Sequence, residues 1–488
     1  MTTLGADDPL GADLIATIRE VTAATPRAAQ STGFSFVRGN PIEFFLAPLI
    51  GLYLGYAVVR LPEVFEALAI QHLPMILMIV FIAIMGFTVP ADAWGTIWRR
   101  SKPFRLVIAI FALALITAPL GIWPSESFLF IREHYVVDVV IFIMSMIFLR
   151  DRRNFRVTAM VFVLCSTAVS YHVIKTYDPN ATVYSDDGDP IDPAELAARP
   201  ELRRLQSVGI SLDPNDFGAI LATSFPLALW LSVGSVRRRI FWTAMAGIMV
   251  AAVVPTQSRG SELGFLAVAT VILTIGARGW RRWMSLVLIV GAIAMFGMMA
   301  TGIGAGGRFT DFGSDDYNVT GNQGRLYFWK QGLIWMAKRP WGYGIENFST
   351  YFGMLNGEER AAHSSWIQYA MELGVAGITL FVMLVGSLIR GLRQLRKRAV
   401  LLREQHPAAK NEEVLTGHML AVMAGVLVTG SFLSNAYYPL MYMALGMAAA
   451  TLLGSPLNDV EVTEIPTAAP VLTPGEKRRL RAFPAAAP

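Results

Sequence analysis

Long apolar runs alternate with short polar segments along most of this 488-residue chain. Twelve runs come close to the roughly 17–25 apolar residues that a helix needs to cross a bilayer, or to the smaller number that suffices when flanking side chains reach the interface. The pattern therefore predicts an all-α fold, a polytopic membrane helical bundle of about 12 transmembrane helices. The predicted spans are Phe44–Val59, Leu73–Phe87, Leu106–Ile122, Val136–Leu149, Val157–Ile174, Phe217–Val233, Ile240–Val254, Leu263–Ala277, Met284–Gly302, Trp366–Ile389, Met419–Leu433 and Leu440–Leu453.

The basic residues of the loops give an independent test of these spans, because loops that face the cytoplasm are rich in lysine and arginine. Alternate short loops follow that rule, and the intervening ones hold few basic residues, Arg60, Arg132 and Arg259 among them. The basic groups lie at 99–105, 150–156, 237–239, 278–282 and 390–403. This alternation predicts an even number of spans, with both termini in the cytoplasm and with Arg259, Arg325 and His363 together on the outer face.

The composition agrees with a membrane protein. The chain is 54% hydrophobic, its mean hydropathy is +0.48, and only 16% of it is charged, against about 25% in soluble domains. The net charge of +5 comes mostly from arginines beside the spans, so it indicates no nucleic-acid partner. Cys165 is the single cysteine, which excludes an intramolecular disulfide and a cysteine-based metal site.

The chain divides into three regions. Residues 1–40 are polar and are expected to form a disordered cytoplasmic segment, and residues 41–454 form the transmembrane domain. Residues 455–488 are rich in proline and alanine, which predicts a disordered cytoplasmic tail. Within the membrane domain, residues 304–365 form a large polar loop on the outer face.

This outer loop is predicted to contain a helix from Gln323 to Lys338. Pro340 should end it, because proline disfavours helical backbone in the residue before it. At helical spacing, four residues fall on one face. They are Arg325, Trp329, Gly332 and Met336.

Two arginines of the outer face have the chemistry of a phosphate site. Arg259 follows the seventh span directly, and Arg325 begins the loop helix. A guanidinium keeps its charge and offers a planar fork of donors that fits phosphate oxygens. An anion bound at Arg325 would also relieve the conflict between its charge and the helix dipole. Alternatively, Arg259 contacts a lipid headgroup and Arg325 lies on a solvated helix face.

His363 lies at the mouth of the tenth span, in Ala361-Ala362-His363-Ser364-Ser365-Trp366. An imidazole takes a proton near neutral pH, as a general base must. Together with the two arginines it suggests a site that holds a lipid-linked diphosphate and activates a hydroxyl. The alternative is an interfacial or helix-capping histidine.

Other polar residues of the outer face are candidates for supporting roles. Asp213, Asn215 and Asp216 begin the sixth span, either as a helix cap or as side chains that hold sugar hydroxyls. Asp138, near the outer end of the fourth span, would need a partner such as Arg132 or Arg259. The remaining candidates are Gln257 and Ser258 beside Arg259, and Tyr343 as a sugar-stacking ring. Arg339, like Arg308 and Lys338 of the same loop, could substitute for Arg325 as the phosphate ligand.

Three sequence motifs occur in a fixed order in the second half of the chain. They are Gln257-Ser258-Arg259-Gly260, then Gly324-Arg325 with Arg339-Pro340-Trp341-Gly342-Tyr343-Gly344, then His363-Ser364-Ser365 with Glu372-Leu373-Gly374. This arrangement resembles the O-antigen ligase and O-antigen polymerase superfamily of bacterial envelope glycan transferases. The resemblance rests mainly on residues 255–377.

The resemblance implies a glycosyltransferase-C-like fold in the bacterial inner membrane, with the active site on the periplasmic face and no metal or other cofactor. It implies an undecaprenyl-diphosphate-linked glycan as donor, and lipid A core, a growing glycan or a protein as acceptor. Arg259 and Arg325 would hold the donor diphosphate, and His363 would take the proton of the acceptor hydroxyl.

Several functions remain open from the sequence alone. O-antigen ligation and polymerisation of an exopolysaccharide or O-antigen would use the same donor site. A transporter or flippase would place ionisable residues or interrupted helices near the centres of several spans, in repeated halves. The spans are almost free of central charge, which favours the transferase. A non-catalytic scaffold would leave Arg259, Arg325 and His363 dispensable.

Overall fold

The computed structural model describes residues 41–65, 73–176, 214–253, 256, 258–276, 325–357 and 359–460. Within these ranges every regular element is helical and no strand occurs, which confirms the all-α prediction. In chain order the α-helices are α1 (Pro41–Ala57), α2 (Leu61–Val64), α3 (Leu73–Thr88), α4 (Ala91–Arg100), α5 (Lys102–Thr117), α6 (Pro124–Phe130), α7 (Val136–Phe148), α8 (Arg152–Thr176), α9 (Pro214–Ser232), α10 (Val236–Val253), α11 (Arg259–Gly276), α12 (Arg325–Lys338), α13 (Phe348–Asn356), α14 (Ser365–Glu372), α15 (Gly374–Leu401), α16 (Ala409–Gly430) and α17 (Pro439–Leu453).

Several of these helices are suited to a bilayer. Four are long and apolar enough to cross one: α5 with its 3-10 extension to Leu120, α8, α15 and α16. A fifth counts if α3 and α4, which meet at a bend of 98°, form one span. The helices indicate a multi-pass membrane protein, whereas the number twelve stays a prediction. The predicted ninth span, segment 1–40, residues 304–324 and the tail beyond 460 lie outside the described residues.

Helix α3 carries a surface of apolar side chains that no described helix covers. Ile79 is 54% exposed and Phe87 is 92% exposed. Exposed apolar side chains in such number are costly in water and favourable against lipid. This face of α3 therefore fits a lipid-facing position.

Helix α16 lies at the centre of the packing, against α9, α11, α15 and α17. Its neighbours approach so closely that a Cβ atom on Gly425 would lie 2.7 Å from the carbonyl oxygen of Ala222 in α9. Small residues allow such close contact between membrane helices. The packing holds the two ends of α16 at fixed positions within the bundle.

A widened helical turn joins α6 to α7. Residues Ile131–Tyr135 form a π-helix, so the helix continues from Pro124 to Phe148 with one turn of larger circumference. A π-helical turn usually marks an inserted residue, and many occur at functional sites. Glu133 and His134 of this turn line the cavity described below.

The predicted tenth span is interrupted at Leu373, between α14 and α15. The loop segment after α12 forms hydrogen bonds with the backbone groups at this break. The N–H of Gly344 donates to the carbonyl of Glu372 at 3.0 Å, and the N–H of Val375 donates to the carbonyl of Pro340 at 2.9 Å. The segment 340–344 and the break are therefore tied together, which the hydrophobic pattern alone did not predict.

A buried ion pair joins α8 to the first turn of α16. Arg152 of α8 donates from Nε to Oε1 of Glu412 at 2.6 Å and from Nη2 to Oε2 at 2.8 Å. The same Nη2 donates to the carbonyl of Thr451 in α17. Only 3% of the Glu412 side chain is exposed, and each of its two carboxylate oxygens accepts a hydrogen bond from this arginine.

Candidate functional site

The turn between α16 and α17, residues 431–438, lies at the centre of the candidate site. The backbone N–H of His363 donates to Ser434 Oγ at 2.8 Å, and Trp366 Nε1 donates to Ser431 Oγ at 2.9 Å. Three further bonds join the turn to α14, and they involve Ser365 with Leu433, Ser365 with Asn435, and Tyr369 with Ala436. The 431–438 turn thus fixes the segment that carries the predicted general base.

His363 has an unusual backbone conformation. Its φ angle is 48°, in the left-handed region that residues other than glycine seldom adopt. The ring lies 6.0 Å from that of Phe328 in α12, and the residue is half-buried. Non-glycine residues in this conformation cost roughly 1–3 kcal/mol and persist where the surroundings hold them in place. The hydrogen bond to Ser434 is such a restraint.

The predicted loop helix is confirmed as α12, which ends at Lys338, two residues before Pro340. The structure identifies the face of this helix that packs. Phe328, Gly332 and Trp335 are buried, whereas Trp329 is half-buried. A Cβ on Gly332 would lie 2.4 Å from Cγ2 of Ile367, so α12 rests directly on α14. This face also packs into an aromatic cluster with Tyr343, Phe348 and Phe352.

Arg259 is the first residue of α11, and Arg325 is the first described residue of α12. The side chains of both lie outside the described residues. The dipole of a helix favours negative charge at its start. In the first turn of α11 the N–H of Ser261 already donates to Ser258 Oγ. Arg259 therefore lies at a helix end that favours an anion.

Phe432 brings the starts of these two helices near each other. A Cβ on Gly260, next to Arg259, would lie 3.1 Å from Cβ of Phe432. The Phe432 ring lies 6.1 Å from that of Trp329, one helical turn after Arg325. Because Phe432 belongs to the 431–438 turn, backbone segments of all three predicted residues adjoin one short stretch of chain.

The start of the sixth span adjoins the Arg259 segment. Ser258 Oγ donates to Asn215 Oδ1 at 2.7 Å, and Ser261 Oγ donates to Ser258 Oγ at 2.8 Å. Ser258 and Ser261 are buried. This chain of hydrogen bonds joins α9 to α11 beside Arg259. Asp216 is half-buried in the first turn of α9, whereas Asp213 and Gln257 lie outside the described residues.

Arg339 and Tyr343 make their described contacts with the loop itself. The Arg339 guanidinium donates to the carbonyl of Leu120 and lies 5.4 Å from the Tyr343 ring centre. Tyr343 is buried and packs on Tyr351 at 4.7 Å, and this burial raises the pKa of Tyr343 to about 12. These contacts anchor the segment after α12, and a role of either side chain toward a ligand stays a prediction.

A cavity of about 640 Å³ opens beside the His363 segment. Its lining includes Ala361, Ala362 and Ser434, together with the carboxylic acids Asp138 and Glu372. Sequence reasoning singled out Asp138 but missed the cavity, because its wall comes from distant parts of the chain. Polar residues in the short connection between the last two predicted spans, Ser434 and Asn435, were the available signal.

Arg132 is not the described partner of Asp138. It lies on the surface and forms an ion pair with the adjacent Glu133 at 2.7 Å. The predicted pairing with Arg132 is therefore wrong, because the π-helical turn directs that arginine into solvent, where its side chain is 73% exposed. The alternative partner, Arg259, has a side chain outside the described residues.

Comparison with known proteins agrees with the resemblance inferred from the motifs. A family model described as O-antigen ligase matches residues 244–382. The match includes α11 to α14 and therefore Arg259, Arg325 and His363. None of the curated proteins matches this chain. The family match confirms the predicted resemblance over this segment, and it indicates glycan transfer of the O-antigen ligase or polymerase type.

Proposed function

We propose that this protein is a membrane glycosyltransferase that moves a glycan from an undecaprenyl-diphosphate donor to a hydroxyl acceptor on the periplasmic face, as in O-antigen ligation. One observation carries the proposal. The 431–438 turn adjoins the start of α11 through Phe432, the first turns of α12 through Trp329, and His363 through Ser434. The residues suited to bind diphosphate and to accept a proton thus belong to neighbouring segments.

In the proposed reaction Arg259 and Arg325 hold the diphosphate. Diphosphate is already a good leaving group, so the protein mainly has to position the reactants and stabilise the charge that develops as the bond breaks. Guanidinium groups do this without gaining or losing a proton. The positive end of the α11 dipole, at Arg259, favours the same negative charge.

His363 is the proposed general base. The acceptor oxygen attacks the anomeric carbon, its proton moves to the imidazole, and the bond to the diphosphate oxygen breaks. Undecaprenyl diphosphate leaves with the electron pair, and attack from the opposite side inverts the anomeric centre. The fixed backbone of His363 supports this role, because a base must stay within hydrogen-bonding reach of the hydroxyl.

The proposed setting is the bacterial inner membrane, with both termini in the cytoplasm. The donor's polyprenyl tail would lie among membrane lipids beside the apolar faces of the bundle. The proposed acceptor is lipid A core, a growing glycan or a protein. A ligase and a polymerase share the donor half of the reaction, so only the product distinguishes them. No cofactor is required for this scheme.

The proposal is tested with purified protein in lipid, an undecaprenyl-diphosphate-linked glycan and candidate acceptors, in the presence of chelator. We expect release of undecaprenyl diphosphate by the wild type and loss of that release in His363→Ala. His406→Ala is the matched control, because His406 lies between α15 and α16, at the end of α16 opposite the 431–438 turn. Full activity of His363→Ala would exclude its assigned role. The absence of release from every donor would favour a transporter or scaffold.

A further inference from the structure

The cavity beside the His363 segment is built from residues far apart in the chain. Its wall includes the end of α1, the π-helical turn with the start of α7, the residues around Glu346, the pair Ala361 and Ala362, and the 431–438 turn. Its volume of about 640 Å³ lies within the range of roughly 300–1,000 Å³ that is typical of small-molecule sites. It is therefore large enough to enclose a sugar ring.

The lining of this cavity carries an excess of acidic groups. Four carboxylic acids line it: Glu133, Asp138, Glu346 and Glu372. Among the described lining residues, Arg60 is the single arginine or lysine. Carboxyl oxygens accept hydrogen bonds from hydroxyls and ammonium groups, whereas a carboxylate or phosphate group on a ligand brings no donor for them.

Two of these acids are buried, and one of them has an oxygen without a protein partner. Asp138 and Glu372 are each 1% exposed. Asp138 Oδ2 makes no hydrogen bond within the described part of the chain. Glu372 is hydrogen-bonded to the Tyr437 hydroxyl, and its Oε1 accepts the N–H of Phe348 at 3.4 Å. Buried acceptors are normally satisfied, so Asp138 Oδ2 points to a ligand that donates to it.

Ser434 connects the cavity to the proposed chemistry. Its side chain lines the cavity, and its Oγ accepts the N–H of His363. We propose that this cavity binds the acceptor sugar, and that it selects a neutral or amino-bearing sugar and excludes an acidic one. This inference rests on the proposed function, because a sugar held here would present a hydroxyl beside the residue that accepts its proton.

The first experiment measures sugar binding without any donor. The full chain in phosphatidylcholine nanodiscs is mixed with methyl glucoside, methyl glucosaminide or methyl glucuronide, and contact is measured by saturation-transfer NMR. We expect signals from the neutral and amino sugars and none from the glucuronide. In Asp138→Asn and Glu372→Gln we expect the amino-sugar signal to fall at least several-fold. In the double variant we expect a glucuronide signal to appear.

Glu359→Gln is the matched control, because Glu359 is an exposed carboxylate of the same loop that does not line the cavity. It should leave all three signals unchanged. Equal signals from the three sugars in the wild type would overturn the proposal. So would an equal loss in Glu359→Gln and Glu372→Gln.

The second experiment separates this inference from the proposed function. Transfer is measured from an undecaprenyl-diphosphate-linked glycan to acceptors that end in glucose, glucosamine or glucuronic acid. We expect Glu372→Gln to raise KM for the amino-sugar acceptor several-fold and to leave KM for the donor unchanged. Transfer to all three acceptors at one rate would overturn the cavity assignment and leave the transferase standing. Selective binding in the first experiment without transfer from any donor would do the reverse.

Discussion

The two ends of helix α16 treat buried carboxylic acids in opposite ways. At its first turn, Glu412 receives two hydrogen bonds from Arg152. Beyond its last turn, near the 431–438 turn, Asp138 has an oxygen without a partner in the described structure. The first arrangement stabilises the bundle, whereas the second leaves a buried oxygen that can accept a hydrogen bond from a ligand. We infer that the end of α16 at Glu412 contributes to stability and that the end near the 431–438 turn binds a ligand.

The largest expected effect belongs to the ligand-binding end. His363→Ala should lower the transfer rate by about 10²–10⁴-fold, the usual contribution of a general base. Its thermal unfolding midpoint should fall only slightly, because alanine loses the ring contact with Phe328 but no buried core side chain is removed. Single-turnover kinetics and donor binding, measured in parallel, should show a loss of rate with donor affinity retained. A comparable loss of donor affinity would contradict the assignment.

Arg325→Ala should lower the transfer rate on the order of 100-fold, since it removes a donor aimed at charge that develops in the reaction. Arg325→Lys should recover only part of this rate, because lysine keeps the charge but not the planar fork. Donor affinity should fall in both variants. Arg132→Ala is the control, since Arg132 is an exposed arginine paired with Glu133. Equal losses in Arg132→Ala would indicate a general surface effect.

At the other end of α16 the expected effect is on stability. Arg152→Ala leaves the buried carboxylate of Glu412 without its cation, which should cost about 3–5 kcal/mol. The unfolding midpoint should fall, while the transfer rate per folded molecule stays unchanged. Arg100→Ala, at an exposed arginine of α4, should have little effect. Adding Glu412→Leu to Arg152→Ala should restore much of the lost stability, and a failure to do so would argue against the ion pair.

A smaller effect is expected where the loop helix meets α14. Gly332→Ala forces a Cβ to within 2.4 Å of Ile367, and such overpacking typically costs about 1–3 kcal/mol. Gly386→Ala is the matched control, because no atom lies within 4 Å of a Cβ at that position of α15. The difference in unfolding midpoint between the two variants measures the contact. Identical midpoints would mean that α12 does not rest on α14.

The smallest expected effect on stability compares the buried acids at the two ends of α16 directly. Asp138→Asn should leave stability unchanged or raise it by about 1 kcal/mol, because it removes a buried carboxyl with an unsatisfied oxygen. Glu412→Gln makes the same chemical change at the other end and should destabilise the protein. Unfolding midpoints of both variants test this. A marked loss of stability in Asp138→Asn would show that the acid is needed for folding.

The local pattern predicted much of the helical structure. It placed the end of the loop helix at Lys338, because proline and the apolar spacing act locally. The sequence also contains the three motifs whose segments adjoin the 431–438 turn in the structure. It did not predict the break at Leu373 or the packed face of α12. Both depend on contacts between distant segments, the hydrogen bond from Gly344 to Glu372 and the contact of Gly332 with Ile367.

The cavity was beyond sequence reasoning for the same physical reason. Ser434, Glu372 and Asp138 are far apart in the chain and become neighbours only when α7, α14 and α17 pack together. A ligand-binding role of Arg339 stays a prediction, and its bond to the carbonyl of Leu120 depends on where the end of α5 lies. The chemistry of a single residue can be inferred from a sequence. A cavity wall that distant segments form together can be identified only from the three-dimensional structure.

The π-helical turn Ile131–Tyr135 gives the cavity a simple means of variation. Deleting one residue there would restore an ordinary α-helical turn and leave the flanking segments in nearly the same register, because the π-turn accommodates one extra residue. Asp138 would keep its place on α7, while different side chains would replace Glu133 and His134 at the rim. A single codon lost or gained at this turn would thus alter what the cavity recognises without disturbing the helices that anchor it.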